Sequence, residues 1–254
     1  MLVISDIQER PAAAMSPGMA SGRDAERSYP TGGCHAFGVL PGYSGCVKTN
    51  TNEWHSIAQR IQAIAQTGLA YASNPYDVDR YRELSAIAAA LIAGPEPKRI
   101  ALAAELFAAD HGYPTPRVDG RAAVFQENRL LLVRERADGL WALPGGWAEV
   151  GQSAAESVER EVREESGYIV RAVKLLACWD RNKHPHPPIP AHAYKLLFRC
   201  DLLGGVATPS TETTEVGVFA EDQIPALSLT RTLPEQIAFA FQRLRHPGAP
   251  TAFD

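Results

Sequence analysis

Residues Gly145–Tyr168 read GGWAEVGQSAAESVEREVREESGY, and this stretch decides the fold. Two glycines open it after Pro144, a helix follows, and a glycine closes it. Ser153 and Glu156 have capping-box spacing: the serine accepts from an early helix N–H and the glutamate reaches back. Gly167 stands where a helix ends on a left-handed residue. Between these caps lie Arg160, Glu161, Glu164 and Glu165. Helical periodicity puts Glu161 on one face with both Glu164 and Glu165. Three carboxylates so crowded repel one another. A hard divalent cation relieves that repulsion, because magnesium and manganese take oxygen ligands and bind through carboxylates and substrate phosphates. For EVREE alone, a solvated acidic face is the plainer reading.

The spacing of the remaining residues favours the cation. Counted from Gly146, the pattern is G-x5-Q-x7-R-E-V-x-E-E-x-G-Y. It resembles the box of the Nudix family, G-x5-E-x7-R-E-U-x-E-E-x-G-U, where U is aliphatic. Gly146, Arg160, Glu161, Val162, Glu164, Glu165 and Gly167 match; Gln152 and Tyr168 depart. The resemblance covers residues 117–245. It implies an α+β fold, an α/β/α sandwich around a mixed sheet. It also implies hydrolysis of the pyrophosphate in a nucleoside diphosphate linked to a second group, X, with Mg2+ or Mn2+. The expected metal ligands are Glu161 and Glu165, then Glu164, with a carbonyl from the Gly145–Gly146 backbone. Arg160 is expected to orient Glu161 and Glu164. Nudix enzymes often draw a general base from a loop after the central sheet, where STETTEVGVF offers Glu212 and Glu215. Ordinary loop acids are the alternative for both. Gln152 removes a carboxylate near Arg160, and Glu149 or Glu156 can compensate in part. It is expected to weaken or reshape metal binding without abolishing catalysis.

The whole chain of 254 residues carries a net charge of -4, so no general basic field exists for gripping nucleic acid. No apolar run approaches the roughly 20 residues of a membrane span, and the N-terminus lacks the order of a signal peptide. Cys34, Cys46, Cys178 and Cys200 have neither metal-site nor disulfide-framework spacing. A reduced, cytoplasmic enzyme is expected. Residues 1–50, rich in Gly, Ala, Ser and Pro, read as a disordered tail. A small helical domain is expected over 51–113. Its first helix should bury a stripe of Trp54, Ile57, Ile61 and Ile64 and stop or break near Gly68. The second should start after Asp77 and carry Tyr81, Leu84, Ile87 and Leu91; the third should span Pro97 to Asp110. Gly112–Gly120 reads as a turn-rich linker. Strands follow at 122–125 and 130–133, joined through Glu127-Asn128, then at 169–179, 193–202 and 216–219. Thr232 and Glu235 have the spacing to cap a final helix.

Substrate choice is expected from DRNKHPHPPIPAHAYK, Asp180–Lys195. Its prolines pre-stiffen the loop, and Arg181, Lys183, His184, His186, His192 and Lys195 suit phosphate or base contacts. His184 and His186 are also a conceivable transition-metal pair. PGGWAEVG, KHPHPP and the helical extension resemble a bacterial Nudix subgroup of CDP-choline and ADP-ribose pyrophosphatases. That likeness implies a homodimer, with RNA 5′ ends as an alternative substrate and no role for DNA or membrane. A non-catalytic nucleotide sensor is the reading of another class. Such a protein should have lost its acids, and this chain keeps Glu161, Glu164 and Glu165.

Overall fold

The computed structural model describes residues 51–254, all within one compact unit. The expected disordered tail, 1–50, lies outside the described residues. Three helices come first: α1 (Thr51–Tyr71), α2 (Pro75–Ala93) and α3 (Pro97–Ala108). Then come β1 (Arg117–Gln126), β2 (Arg129–Glu135), β3 (Trp141–Ala142), β4 (Gly145–Trp147) and α4 (Ala154–Ser166). The chain finishes with β5 (Tyr168–Asp180), β6 (Ala193–Gly205), β7 (Thr213–Phe219), α5 (Pro234–Arg245) and β8 (Ala252–Phe253).

The sheet is mixed, in the order β3-β2-β1-β6-β5-β8, with β4 also pairing β1 and β7 also pairing β2. Strand alternation sends alternate side chains to opposite faces, and each face carries its own core. Ala122, Val124, Leu131, Phe198 and Cys200 pack on Val158 and Val162 of α4. Ala123, Leu130, Leu132, Ala177, Trp179 and Leu197 pack on Ile237, Ala240 and Phe241 of α5. Val158 and Val162 are wholly buried, each stabilising the fold by about 1.5–3 kcal/mol. This is the α/β/α sandwich that the family likeness implies. The β1–β2 hairpin turns at Glu127 and Asn128, with φ of 50° and 61°, the pair of positive values that a two-residue type I′ turn demands.

Several expectations need correction. Gly112–Gly120 is not all linker. Its strand starts at Arg117, because β6 pairs with it in parallel (Arg117↔Ala193) and β4 antiparallel (Asp119↔Trp147). The helix α1 does not stop at Gly68. That glycine lets Tyr81 of α2 lie against it, since a Cβ there would sit 2.4 Å from the ring. The start of α2 is earlier than expected, at Pro75, where the Asn74 side chain accepts from Tyr76 N–H at 3.0 Å. Thr232 does not cap α5. Its hydroxyl accepts from Leu143 N–H at 3.0 Å, and Gln236 Oε1 accepts from Leu233 N–H instead.

The helical stripes follow expectation only in part: Ile61, Tyr81 and Leu84 are half-buried, and the rest are not. Ala58, Ala65, Ala88 and Ala89 are fully buried, while Trp54, Ile57, Ile64, Ile87 and Leu91 stay exposed. Small residues let α1 and α2 approach closely, and these large apolar side chains are left facing outward. Among the described residues no helix is long and apolar enough to cross a membrane.

Candidate active site

The acidic helix α4 is held by both of its predicted caps. Ser153 Oγ accepts from Glu156 N–H at 3.2 Å, and Glu156 Oε2 accepts from Ser153 N–H at 2.8 Å. Gly167, at φ 75°, ends the helix and donates its N–H to Arg163 O at 2.9 Å. Arg160 gathers the carboxylates around it. It donates to Glu161 Oε1 at 2.8 Å, to Glu164 Oε2 at 2.6 Å and to Gln152 Oε1 at 3.2 Å, with Glu149 Oε1 at 3.5 Å. The neutral Gln152 thus still accepts from this arginine, as a carboxylate at that position would.

Glu161 and Glu165 face the Gly145–Gly146 turn, one helical turn apart. Gly146 lies close under the helix: a Cβ there would stand 3.0 Å from the Glu161 carboxyl carbon and displace that carboxylate. Glu165 is 4% exposed and accepts from Gly145 N–H at 2.8 Å. Burial raises Glu161 above the usual carboxylate range, against the pull of Arg160. Burial also pushes Glu165 up to about 8; Arg121 opposes this, while Glu135 and Glu161 add to it. This crowding, with Glu164 raising Glu161 and Glu161 raising Glu165, fits a counter-cation of high charge. Magnesium asks for one or two carboxylates and completes its shell with water and substrate phosphate. Glu164 is half exposed and shares Arg160 with Glu161. Among the described residues no three His, Cys, Asp or Glu side chains converge as a ready-made metal cluster.

Behind the turn lies a layer of buried charge that sequence reasoning missed. Asp119 and Arg121 on β1 and Lys195 on β6 are 5%, 6% and 2% exposed. Arg121 Nε donates to Asp119 Oδ1 at 2.8 Å, its Nη1 donates to Leu143 O at 3.1 Å, and Lys195 Nζ bonds Asp119 Oδ2. Glu135, 1% exposed, has Arg231 Nε 3.3 Å from its Oε1, yet the N–H is not aimed and that oxygen accepts no hydrogen bond. Burial raises Glu135, opposed by Arg231 and Arg121. The only warning in the sequence was charge alternating with apolar residues in VDGRAAVF, which looks the same on any half-solvated strand.

The proline-rich loop is largely occupied in holding itself. Arg181 is buried and donates to Pro187 O at 2.6 Å and Thr230 O at 3.3 Å. Burial lowers it to about 10. His186 is buried, and its Nδ1 donates to Leu229 O at 2.7 Å, leaving Nε2 as acceptor for Gln236 at 3.3 Å. Burial drives His186 down to about 3, so the ring is neutral and fixed in one tautomer. His192 Nε2 donates to Asp180 Oδ1 at 2.9 Å, and His184 Nε2 meets Asp254 Oδ1 at 3.1 Å. From α1, Gln59 reaches Ile189 O at 2.9 Å and accepts from Asn182 at 2.7 Å. Lys195 lies on β6 rather than on the loop, with its ammonium against Asp119. Lys183 is the exposed cation of the set. His184 and His186 are therefore engaged with different partners, not paired for a metal. The cavity they line with His55 and Arg181 is about 10 Å³, roughly the space of one water.

The two candidate bases differ in what they touch. Glu215 sits across from Arg134 in the β2–β7 register and binds it at 2.5 Å. Glu212 is exposed in the turn before β7, with no side-chain partner among the described residues, and its charge bears on buried Glu135. Thr213, next to it, donates its hydroxyl to Glu165 O at 2.7 Å, tying that turn to the end of α4.

Comparison with known proteins agrees with this geometry. Residues 115–239 match the family described as the NUDIX domain, and residues 52–107 match a UDP-X-like N-terminal oligomerisation domain. A Bacillus subtilis protein, YjhB, assigned as a candidate ADP-ribose pyrophosphatase, is 46% identical over 208 residues, covering 82% of this chain and 100% of that protein. The crystal structure of a UDP-X diphosphatase aligns with a TM-score of 0.52 and 31% identity, over 80% of this chain and 99% of that one. That of an ADP-ribose pyrophosphatase from Streptococcus suis aligns with a TM-score of 0.51 and 42% identity, over 55% of this chain and all of the other.

Proposed function

The chain belongs to the Nudix hydrolase family, and on that premise we propose that it cleaves the pyrophosphate of a nucleoside diphosphate conjugate, with ADP-ribose as the first substrate to test and CDP-choline the second. The observation that carries the reading is the pair Glu161 and Glu165, the first half-buried and the second buried, both facing the glycine turn. They and the Gly146 carbonyl would hold Mg2+ or Mn2+, with Glu164 as a further oxygen donor. When bound, the cation supplies charge neutralisation for the phosphate oxygens and acidifies water. Arg160 fixes Glu161 and Glu164 through hydrogen bonds already formed. Glu212, whose carboxylate is not committed to an ion pair, is our choice of general base over Glu215. Of the loop cations, Lys183 is the one open to a substrate phosphate, with Arg181 and the histidines shaping the loop around it. No feature of the site favours RNA 5′ ends, which serve here as a comparison substrate.

The exposed apolar face of α1 and α2 and the match to an oligomerisation domain support a homodimer built through the helices. The deciding experiment is a substrate panel of ADP-ribose, CDP-choline, other nucleoside diphosphate conjugates and triphosphate-ended RNA, each with Mg2+, Mn2+ or chelator. Release of a nucleoside monophosphate that stops on chelation, and stops in a Glu165→Ala variant, is the expected result. Turnover that persists in that variant would sink the assignment.

A further inference from the structure

Lys195, Asp119 and Arg121 form a chain of contacts that ends at Leu143 O, in the turn whose Gly145 is held by Glu165. Lys195 and Asp119 are direct partners in the parallel β1–β6 register, and Arg121 follows Asp119 by two residues on the same face of the sheet. Farther along that face come the buried apolar Leu197, opposite Arg121, and Ala123, opposite a half-exposed Arg199. Buried ions cost several kcal/mol each in desolvation, so a stability-driven strand would continue apolar to its end. On β1 and β6 the buried charges stand where β1 meets the glycine turn.

Arg121 has two jobs there. One side of its guanidinium is locked by Asp119 and the other holds Leu143 O at 3.1 Å. Two residues later in the same turn, Gly145 N–H is held by Glu165 at 2.8 Å. The turn is thereby gripped by an arginine from the sheet and a glutamate from α4. It is also pressed onto β1, since a Cβ on Gly145 would lie 2.0 Å from Gly120 O. The charge count points the same way. Arg121 and Lys195 contribute two positive charges and Asp119 one negative, leaving one positive charge directed towards Glu165 and Glu135.

We propose that Arg121, steadied by Asp119 and Lys195, is a positioning residue for the hydrolysis: it fixes the Leu143–Gly146 turn against β1 and so fixes where Glu165 stands. This rests on the hydrolase reading, with Glu165 as a cation ligand. Arg121 itself touches no substrate. The planar fork is essential, because a lysine keeps the charge but cannot span Asp119 and Leu143 O together.

Three measurements test it: Mn2+ affinity of the substrate-free protein by calorimetry, kcat and KM on ADP-ribose, and the urea midpoint without metal. For folded Arg121→Lys we expect Mn2+ affinity and kcat to fall together by about 10- to 100-fold, the range for residues that orient metal ligands, with KM little changed. Lys195→Met, which touches neither the turn nor Glu165, should move both in the same direction by less. A folded Arg121→Lys protein that binds Mn2+ and turns over like the parent overturns the proposal. A parent protein that neither binds Mn2+ nor hydrolyses any conjugate sinks the hydrolase reading instead. Should neither variant fold, amide exchange of Gly145 in the parent decides. Protection equal to that of β1 supports the grip on the turn, and fast exchange overturns it.

Discussion

At the scale of single residues, Glu212 and Glu215 look alike in the sequence and differ in what they bind. Glu215 is spent on a cross-strand pair with Arg134 at 2.5 Å, whereas the Glu212 side chain is uncommitted. General-base catalysis contributes about 10²- to 10⁴-fold. Glu212→Gln should therefore lower kcat at least about 100-fold with KM nearly unchanged, while Glu215→Gln stays close to the parent. Equal losses in both variants would remove Glu212 from that role. His186 makes a prediction about stability. Its ordinary value is 6.5 and its folded value about 3, lowered first by burial. Between those values the unfolded chain holds the extra proton, so stability is untouched above about pH 6.5 and falls as pH drops towards 3. The slope assignable to this ring is about 1.4 kcal/mol per pH unit at most. His186→Asn keeps a donor for Leu229 O and should flatten the loss by that amount in urea unfolding between about pH 4 and 6.5. Parallel curves would show that the ring is not buried neutral.

Elements matter here through where two of them nearly collide. The β4 turn and α4 meet at Gly146, where anything larger than hydrogen displaces the Glu161 carboxylate, a Cβ falling 3.0 Å from its carboxyl carbon. Gly146 has no positive φ, so alanine there brings no backbone strain. The atom displaced is the tip of a flexible side chain. Gly146→Ala should consequently fold with a urea midpoint near the parent's and lose roughly 10-fold in kcat, since the carboxylate gives by a few tenths of an ångström and a full 1 Å misplacement costs about 100-fold. A variant that is unfolded, or fully active, would contradict that account. Gly167 is the opposite case. Its φ of 75° and a Cβ position 2.5 Å from Val206 O make it a requirement of the α4–β5 junction, not of the chemistry.

For the whole molecule, the notable feature is an apolar surface left uncovered. Trp54, Ile57 and Ile64 are 47%, 37% and 59% exposed, though helical spacing suggested burial. A groove of about 700 Å³ opens beside Ile64, lined by Tyr71, Tyr81 and Tyr113 together with polar Thr67, Asn74 and Asp77. Several large apolar side chains exposed on one helix suit an interaction site. If two copies pair through it, light scattering should give twice the chain mass. An Ile57→Glu, Ile64→Glu double variant should then run as a monomer with its urea transition now independent of protein concentration. A parent that scatters as a monomer would refute the dimer.

The sequence by itself determined whatever is local or periodic. The capping box at Ser153, the left-handed stop at Gly167, the strand alternation and the acid spacing of α4 are settled by neighbours within a few residues, and the motif they frame carries the resemblance that implied the sandwich and the hydrolase family. The tertiary structure decided whatever depends on partners far along the chain. Lys195 became a buried mate of Asp119 because β6 docks beside β1, and Thr232 left its helix to hold Leu143. Most of the α1 stripe faced outward because alanines make the closer helix contact. Periodicity says which residues share a face; only packing says what that face meets, since burial and pairing energies depend on groups that the local sequence does not contain.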